Sequence, residues 1–578
     1  MKNKLIVNIY RFIDIFILFF LIFDFGFKID DVYKPYKLVG FFIIVITLMA
    51  FNVAKIFQFK DENLKKSVRF NLFVLLITFL TASAIILYNR DYSIVEHTLK
   101  TKVVFEVGLF FYLLVRLSFL IKYIYKIYFN PAILFVGSFG IFSLMGAFFL
   151  MLPRVTTHGI SFIDALFTST SAICVTGLAV LDTANDFTQL GQTVILILIQ
   201  IGGLGILTFT SFFAYFFKEN STFSEGRYVK DFTASENLQD VFKIAVKIVG
   251  FTLALETVGA ILIYSSIDTI TSITNKTFFS IFHAISAFCN AGFSTSSSSF
   301  HDAGLRFDYS LQWVIMLLIV FGGLGYNIVF NTLTYFKNSL VNLFYEKRKL
   351  PSVRVITLNS KLILVSTGLL LVIGFVFFYF SEANHTLKEH ASVFGKITTA
   401  MFSSVTPRTA GFNTVDYTQV ATPSLLFVIL LMWIGASPAS TGGGIKTSTF
   451  AIAILNIIAT AKGKKRIEIN TREISSSTVN RAFAIICISL IVIGMGIILL
   501  LFFEPKRNLL EIAFECFSAY STVGLSLNVT PHLSYASKIV VIMLMFFGRI
   551  GMLNLLFGML GEVEQKFYQY PQESILIN

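Results

Sequence analysis

The sequence predicts an all-α integral membrane protein, with four helix–pore-helix–loop–helix repeats around a central pore and about four extra N-terminal transmembrane helices. Three observations predict it. The 578-residue chain is 55% hydrophobic and only 14% charged, where a soluble chain would be about a quarter charged. Apolar runs long enough to cross a bilayer follow one another from end to end. A short motif ending in glycine recurs four times between those runs.

Composition comes first. The mean hydropathy is +0.77 and the chain holds 66 Phe, more than a soluble core of this size needs. The excess apolar surface faces lipid. The net charge of +13 does not point to nucleic acid, because the basic residues sit in short loops between apolar runs. The four cysteines, Cys174, Cys289, Cys487 and Cys516, form no CxxC pair, so no zinc or redox motif is indicated. The N-terminal Met-Lys-Asn-Lys leads into an apolar stretch that mimics a signal peptide. It is followed by Asp24-Phe25-Gly26-Phe27, not by a small-residue cleavage site, so the stretch reads as a retained first span.

The runs lie near residues 11–29, 38–57, 70–88, 103–121, 132–152, 192–217, 241–266, 311–336, 359–380, 424–461, 481–503 and 537–560. Crossing the hydrocarbon takes about 20 apolar residues in a helix, and backbone groups bare in lipid are too costly for anything but helices here. Lys337, Lys347, Arg348, Lys349, Arg354 and Lys361 share one loop, and Lys462, Lys464, Lys465, Arg466, Arg472 and Arg481 another. With Lys60, Lys65, Lys66 and Arg69 these mark the cytoplasmic side and place both termini on it. The opposite loops carry acids such as Asp164, Asp182, Asp186, Asp302 and Asp308.

The repeat is the informative feature. Phe167-Thr-Ser-Thr-Ser171-Ala-Ile-Cys-Val-Thr-Gly177 aligns with Phe282-His-Ala-Ile-Ser286-Ala-Phe-Cys-Asn-Ala-Gly292 and with Phe514-Glu-Cys-Phe-Ser518-Ala-Tyr-Ser-Thr-Val-Gly524. Ser404-Val-Thr-Pro-Arg-Thr-Ala-Gly411 keeps the small residue and the glycine but inserts Thr-Pro-Arg. The four glycines stand 115, 119 and 113 residues apart. The implied organisation is 1–130 as extra helices, 131–217 as repeat 1 and 240–336 as repeat 2. Residues 358–461 form repeat 3 with a broken gating helix, 481–561 repeat 4, and 562–578 a cytoplasmic tail.

Each motif dips into the membrane and returns, which irregular backbone does only beside protein or water. Glycine reaches the dihedrals that turn carbonyls toward an axis, and carbonyl rings replace the hydration shell of a monovalent cation. The short helices aim their partly negative C-terminal ends the same way. The candidate filter is therefore Val175, Thr176 and Gly177; Asn290, Ala291 and Gly292; Thr409, Ala410 and Gly411; and Thr522, Val523 and Gly524, with a monovalent cation held there.

The tenth run covers 38 residues, about 57 Å as one helix against a hydrocarbon core of about 30 Å. Gly435, Pro438, Gly442, Gly443 and Gly444 supply a break, and residues 435–446, ending at Lys446, are expected to form a mobile gate below the filter. Gly-Gly-Gly-Ile-Lys-Thr lacks the order of a phosphate-binding loop. Arg549 lies inside the last span, where an arginine costs about 2.5–3.5 kcal/mol, so it is expected to face the pore and act with the gate, or to be tied to carbonyls or to an acid such as Glu256. It aligns with Gly203 and Gly323 of the earlier Gly-Gly-Leu-Gly stretches. Glu256 is the other deep charge, and its role is open.

These residues resemble the Trk/Ktr/HKT superfamily of potassium transporters, and within it the Ktr-type (TrkH/KtrB family) membrane subunit. Thr170-Ser-Ala-Ile-Cys-Val-Thr-Gly-Leu178, Ser404 to Thr414, Ile434 to Lys446, Phe514 to Leu525 and Gly548-Arg549-Ile550-Gly551 carry the likeness, over about residues 130–560. The resemblance implies potassium uptake, a homodimer with one pore per protomer, and a cytoplasmic ring of nucleotide-binding regulatory subunits. It implies the bacterial cytoplasmic (inner) membrane, no cofactor on this chain, and the four loop glycines as the filter. Gly177 stands where plant relatives that prefer sodium carry serine. Residues 1–130 exceed the family core, and Met552-Leu553-Asn554 replace an expected Pro-Leu-Thr.

The expected function is channel-like potassium uptake, with coupling to Na+ or H+ left open. The alternative is an alternating-access secondary transporter of a small solute, whose repeats would usually be inverted. An enzyme is not expected: the seven histidines are scattered and no HExxH occurs. Nor does the chain carry the nucleotide site of an ATP-driven pump.

Overall fold

The computed structural model describes residues 34–58, 62–88, 131–216, 238–267, 273, 275–302, 304–344, 356–464, 466–469 and 472–551, with isolated positions between 17 and 27 and between 101 and 112. The expected spans near 11–29 and 103–121, most of the basic stretch 345–355, Met552–Asn554 and the tail 562–578 lie wholly or largely outside the described residues. The chain divides into two units.

One unit takes in Met1–Phe129, Met145–Leu166 and Asp182–Ile195. In it α1 (Lys34–Gln58) packs against α2 (Glu62–Tyr88). Phe41, Val45 and Leu48 repeat at helical spacing and are buried with Leu75, Ala82, Phe105, Leu109 and Tyr112. Val39, Ile43, Ile46 and Val53 on α1 are exposed. A helix that is apolar on its exposed face as well belongs in lipid.

The other unit takes in Asn130–Leu144, Phe167–Leu181 and Leu196–Asn578. Helices α3 (Pro131–Leu150), α4 (Phe162–Ile173) and α5 (Gln189–Phe216) give residues to both units. Then follow α6 (Leu238–Ser266), α7 (Lys276–Cys289), α8 (Tyr309–Leu324), α9 (Tyr326–Phe344), α10 (Leu358–Ser381), α11 (Val393–Val405), α12 (Thr422–Trp433) and α13 (Thr447–Ala461). A two-stranded hairpin, β1 (Glu468–Ile469) with β2 (Arg472–Glu473), precedes α14 (Ser476–Phe503), α15 (Leu509–Tyr520) and α16 (Tyr535–Ile550).

Four short helices each lead into a motif loop. α4, α7, α11 and α15 have 12, 14, 13 and 12 residues. At about 1.5 Å per residue none exceeds about 21 Å, short of the hydrocarbon thickness. Side-chain caps start three of them: Ser161 accepts from Asp164 N at 3.2 Å, Asn275 from Phe278 N at 3.1 Å and Ser392 from Gly395 N at 2.9 Å. By contrast α6, α10 and α14 are long and apolar enough to span, and they expose residues such as Phe380 and Phe502.

The expected eighth span, 311–336, is not one helix. α8 ends at Leu324, and α9 leaves it at 103°. Gly325, at φ 84°, makes the corner, because an L side chain is strained there. The expected sixth span, 192–217, carries a similar fault: Gly205 sits at φ 56°, ψ −158° within α5. Gly551, at φ 84°, ends α16. The Gly-x-x-Gly stretches therefore both pack helices and end them. The tenth run breaks where Gly435, Pro438 and the triple glycine stand: α12 stops at Trp433 and the helix resumes at Thr447.

Near one end of the bundle Glu504, just beyond α14, accepts from Ser534 N at 2.7 Å and Ser537 Oγ at 2.9 Å. Burial opposes its charge, but these donors and Arg507 hold the carboxyl below the usual carboxylate range.

Candidate functional site

The four motif glycines lean on one another in sequence. A Cβ on Gly177 would lie 2.5 Å from Ala291 O and 3.1 Å from Gly292 Cα. One on Gly292 would lie 2.9 Å from Ala410 O and 3.1 Å from Gly411 Cα. One on Gly411 would strike Val523 O and lie 3.2 Å from Gly524 Cα. One on Gly524 would strike Thr176 O and lie 3.0 Å from Gly177 Cα. The series closes on itself. All twelve candidate filter residues sit in these four loops.

The loops share a backbone form. The glycines have φ of 92°, 70°, 75° and 93°. Two residues earlier Val175, Asn290, Thr409 and Thr522 are also left-handed, at 57°, 60°, 68° and 51°. Three of those four are β-branched, a rare choice for such dihedrals, costing about 1–3 kcal/mol each. Four parallel sets of bonds hold the loops. Ser171 O accepts from Thr176 N at 2.8 Å and Ser171 Oγ from Gly177 N at 3.1 Å. Ser518 does the same for Val523 N (2.9 Å) and Gly524 N (3.1 Å). Ser286 O accepts from Ala291 N at 2.7 Å, and its hydroxyl donates to Phe293 O at 2.8 Å. In the third loop Thr406 takes this part, accepting from Ala410 N at 3.0 Å and donating to Phe412 O at 2.7 Å. The motif alignment had matched the three serines without giving them a task.

Long helices close in behind. A Cβ on Gly202, Gly322 or Gly548 would strike Ile173 O, Phe288 O or Tyr520 O, so each glycine lets a helix touch the end of a short one.

Residues 434–446 lie directly against these loops. Gly443 N donates to Thr522 Oγ1 at 3.0 Å, and a Cβ on Gly442 would strike Thr409 Oγ1. Ser437 N and Thr441 N donate to Gly323 O and Gly322 O at 3.0 and 3.3 Å, and Ala439 O accepts from Tyr326 N at 3.1 Å. Lys446 Nζ donates to Gly442 O at 2.6 Å. Arg549, buried, donates to Thr441 O and to Gly202 O. Of the two roles foreseen for Arg549, its bonds go to carbonyls, and one of these belongs to the segment beside the filter loops. Sequence reasoning overlooked Arg408, which is buried and donates to Gly435 O at 3.4 Å. The Thr-Pro-Arg insertion was its only signal.

Glu256 is not bonded to Arg549. Its carboxylate accepts from Gln200 Nε2 at 3.1 Å and Cys289 Sγ at 3.7 Å. Cys174, Cys289 and Cys516 are buried free thiols.

The profile of the TrkH family, described as cation transport protein, matches residues 131–569. The potassium/sodium uptake protein NtpJ of Enterococcus hirae is 36% identical over 78% of this chain and 97% of its own. The Ktr system potassium uptake protein B of Bacillus subtilis is 36% identical over 77% and 96%. The crystal structure of the potassium transporter TrkH from Vibrio parahaemolyticus matches with a TM-score of 0.58 at 17% identity, covering 85% of this chain and 96% of that one. The last likeness bears on the fold alone. Long apolar helices and these relatives together make this a multi-pass membrane protein of a transport family, not an enzyme, and the chain belongs to the Trk/Ktr family of cation transport membrane subunits.

Proposed function

We propose that the chain takes up potassium across a bacterial cytoplasmic membrane through a pore enclosed by four helix–pore-helix–loop–helix repeats. The observation that carries this is the closed cycle Gly177, Gly292, Gly411, Gly524. In each loop two left-handed residues flank one that is not, a backbone suited to turning carbonyls toward an axis, and rings of such carbonyls substitute for water around K+. The segment 435–446 is the gate: it lies against Thr409 and Thr522, and Arg549 holds it through Thr441 O. The relatives named for potassium uptake support the choice of ion. A relative named as part of a Ktr system supports partner subunits, and on this reading the working form is a homodimer with a cytoplasmic nucleotide-binding ring and both termini facing the cytoplasm.

Proteoliposomes test this. Rubidium uptake should be strong and competed better by potassium than by sodium, and an imposed sodium or proton gradient reads whether either ion is coupled. Uptake that saturates with a small organic solute and ignores potassium would favour alternating access instead.

A further inference from the structure

We propose that Glu515 is a positioning residue that sets the ion preference of this pore by bracing the fourth filter loop from behind. The inference rests on the pore reading above. Glu515 lies in α15 and is wholly buried. Its Oε1 accepts from Thr530 Oγ1 and, at 3.3 Å, from Ser526 Oγ. Its Oε2 is buried with no hydrogen-bond partner among the described residues. Ser526 stands two residues after Gly524, and its hydroxyl also accepts from Val529 N at 3.2 Å. The carboxylate thus joins the short helix to the chain leaving the filter.

The second repeat has the same device. His283 stands nine residues before Gly292, as Glu515 does before Gly524. Its Nδ1 lies 2.9 Å from Phe279 O, which can only accept, so Nδ1 carries the proton. Nε2 then accepts from Ser294 Oγ at 2.9 Å. Ser294, like Ser526, stands two residues after the glycine. The first and third repeats lack the tie. Ala179 and Asn413 occupy the corresponding positions, and Thr168 Oγ1 in the first has no hydrogen-bond partner among the described residues. In the cycle of glycines the second and fourth loops are opposite one another. Two facing loops are braced and two are not.

A buried carboxylate costs several kcal/mol of desolvation unless it is well partnered. An apolar side chain would fill the site more cheaply, so a purely structural need does not explain it. Discrimination between K+ and Na+ depends on how carbonyl rings are held, and a tether on the outgoing chain fixes the last of them.

Three variants test the brace, with rubidium uptake competed by potassium or sodium. Glu515→Ala and Thr530→Val should each fold and conduct, but with the preference for potassium over sodium reduced by roughly tenfold, equivalent to about 1.4 kcal/mol. Glu515→Gln keeps an acceptor oxygen and should retain the preference within about twofold. If Glu515→Ala does not fold, Thr530→Val carries the test. Loss of preference in Glu515→Gln as large as in Glu515→Ala would overturn the proposal, as would an unchanged preference in Thr530→Val. A wild-type protein that takes up no rubidium would instead remove the pore reading, and the brace with it.

Discussion

The third repeat and the other three end their pore-flanking helices in different ways. In the first and second, one left-handed glycine (Gly205, Gly325) breaks the helix three residues after the glycine that touches the short helix, and in the fourth Gly551 ends α16 at the same spacing. In the third, α12 stops and residues 434–446 run without helix before α13 begins. A single-residue corner redirects a rigid rod. A longer stretch held by separate hydrogen bonds can leave as a unit, since each bond contributes only about 0.5–1.5 kcal/mol net. On the pore reading proposed above, the shared corner serves the filter and its one departure supplies the moving part.

The sharpest way to break that comparison is to damage the shared part. Gly524→Ala sets a methyl on Thr176 O at φ 93°; rubidium uptake should fall by more than about tenfold, and wild-type flux would discredit the filter. Next comes the part that differs. Removing two of Gly442–Gly444 should raise flux by about fivefold or more if 435–446 obstructs the path, and single-channel or vesicle flux assays would read it. Arg549→Gln removes the hold on Thr441 O and should raise flux by about two- to fivefold. A folded but slower variant would make that arginine structural.

A fourth test asks whether the second and third repeats are joined apart from the gate. His390 is buried between Tyr309 of α8 and Thr399 of α11, with its ring nitrogens 3.1 Å from each hydroxyl. Burial, then Arg306, His301 and Lys396, push its pKa down from 6.5 to about 4. The native protein therefore resists a proton that the unfolded chain accepts. Its contribution to stability is whole above about pH 6.5 and is lost as pH falls toward about 4. Thermal unfolding in detergent should show a lower midpoint at pH 5 than at pH 7.5, and a smaller pH difference in His390→Gln. The smallest effect is expected at Glu504, whose lowered pKa adds stability above its ordinary value near 4.5 that is lost on further acidification. Glu504→Gln should flatten that acid limb.

Much of this arrangement was legible in the chain because glycine is a conformational statement as well as a residue. The recurrence of Gly177, Gly292, Gly411 and Gly524 marked the loops, and Pro438 with Gly442–Gly444 marked the broken helix. What escaped reading depended on three-dimensional neighbours. Nothing in the apolar run 311–336 separates Gly325 as a corner from Gly322 as a packing surface, because both sit among residues that favour helix. The hydroxyls of Ser171, Ser286 and Ser518 aligned, yet an alignment does not reveal which backbone groups they reach. Arg408 and Glu515 are charges in apolar surroundings, and only their partners, Gly435 O and the Ser526–Thr530 hydroxyls, give them a task. The preference of Arg549 for carbonyls over Glu256 turned on distances that no spacing rule supplies.

The handedness with which each filter glycine rests on the following loop has one more consequence. Every loop abuts its successor in the same rotational sense, and the fourth abuts the first. Such a circuit has no loose end in which a misfit could dissipate. A methyl group added at any one of its members must be accommodated by all four, so tolerance at these positions should fall together and not one at a time.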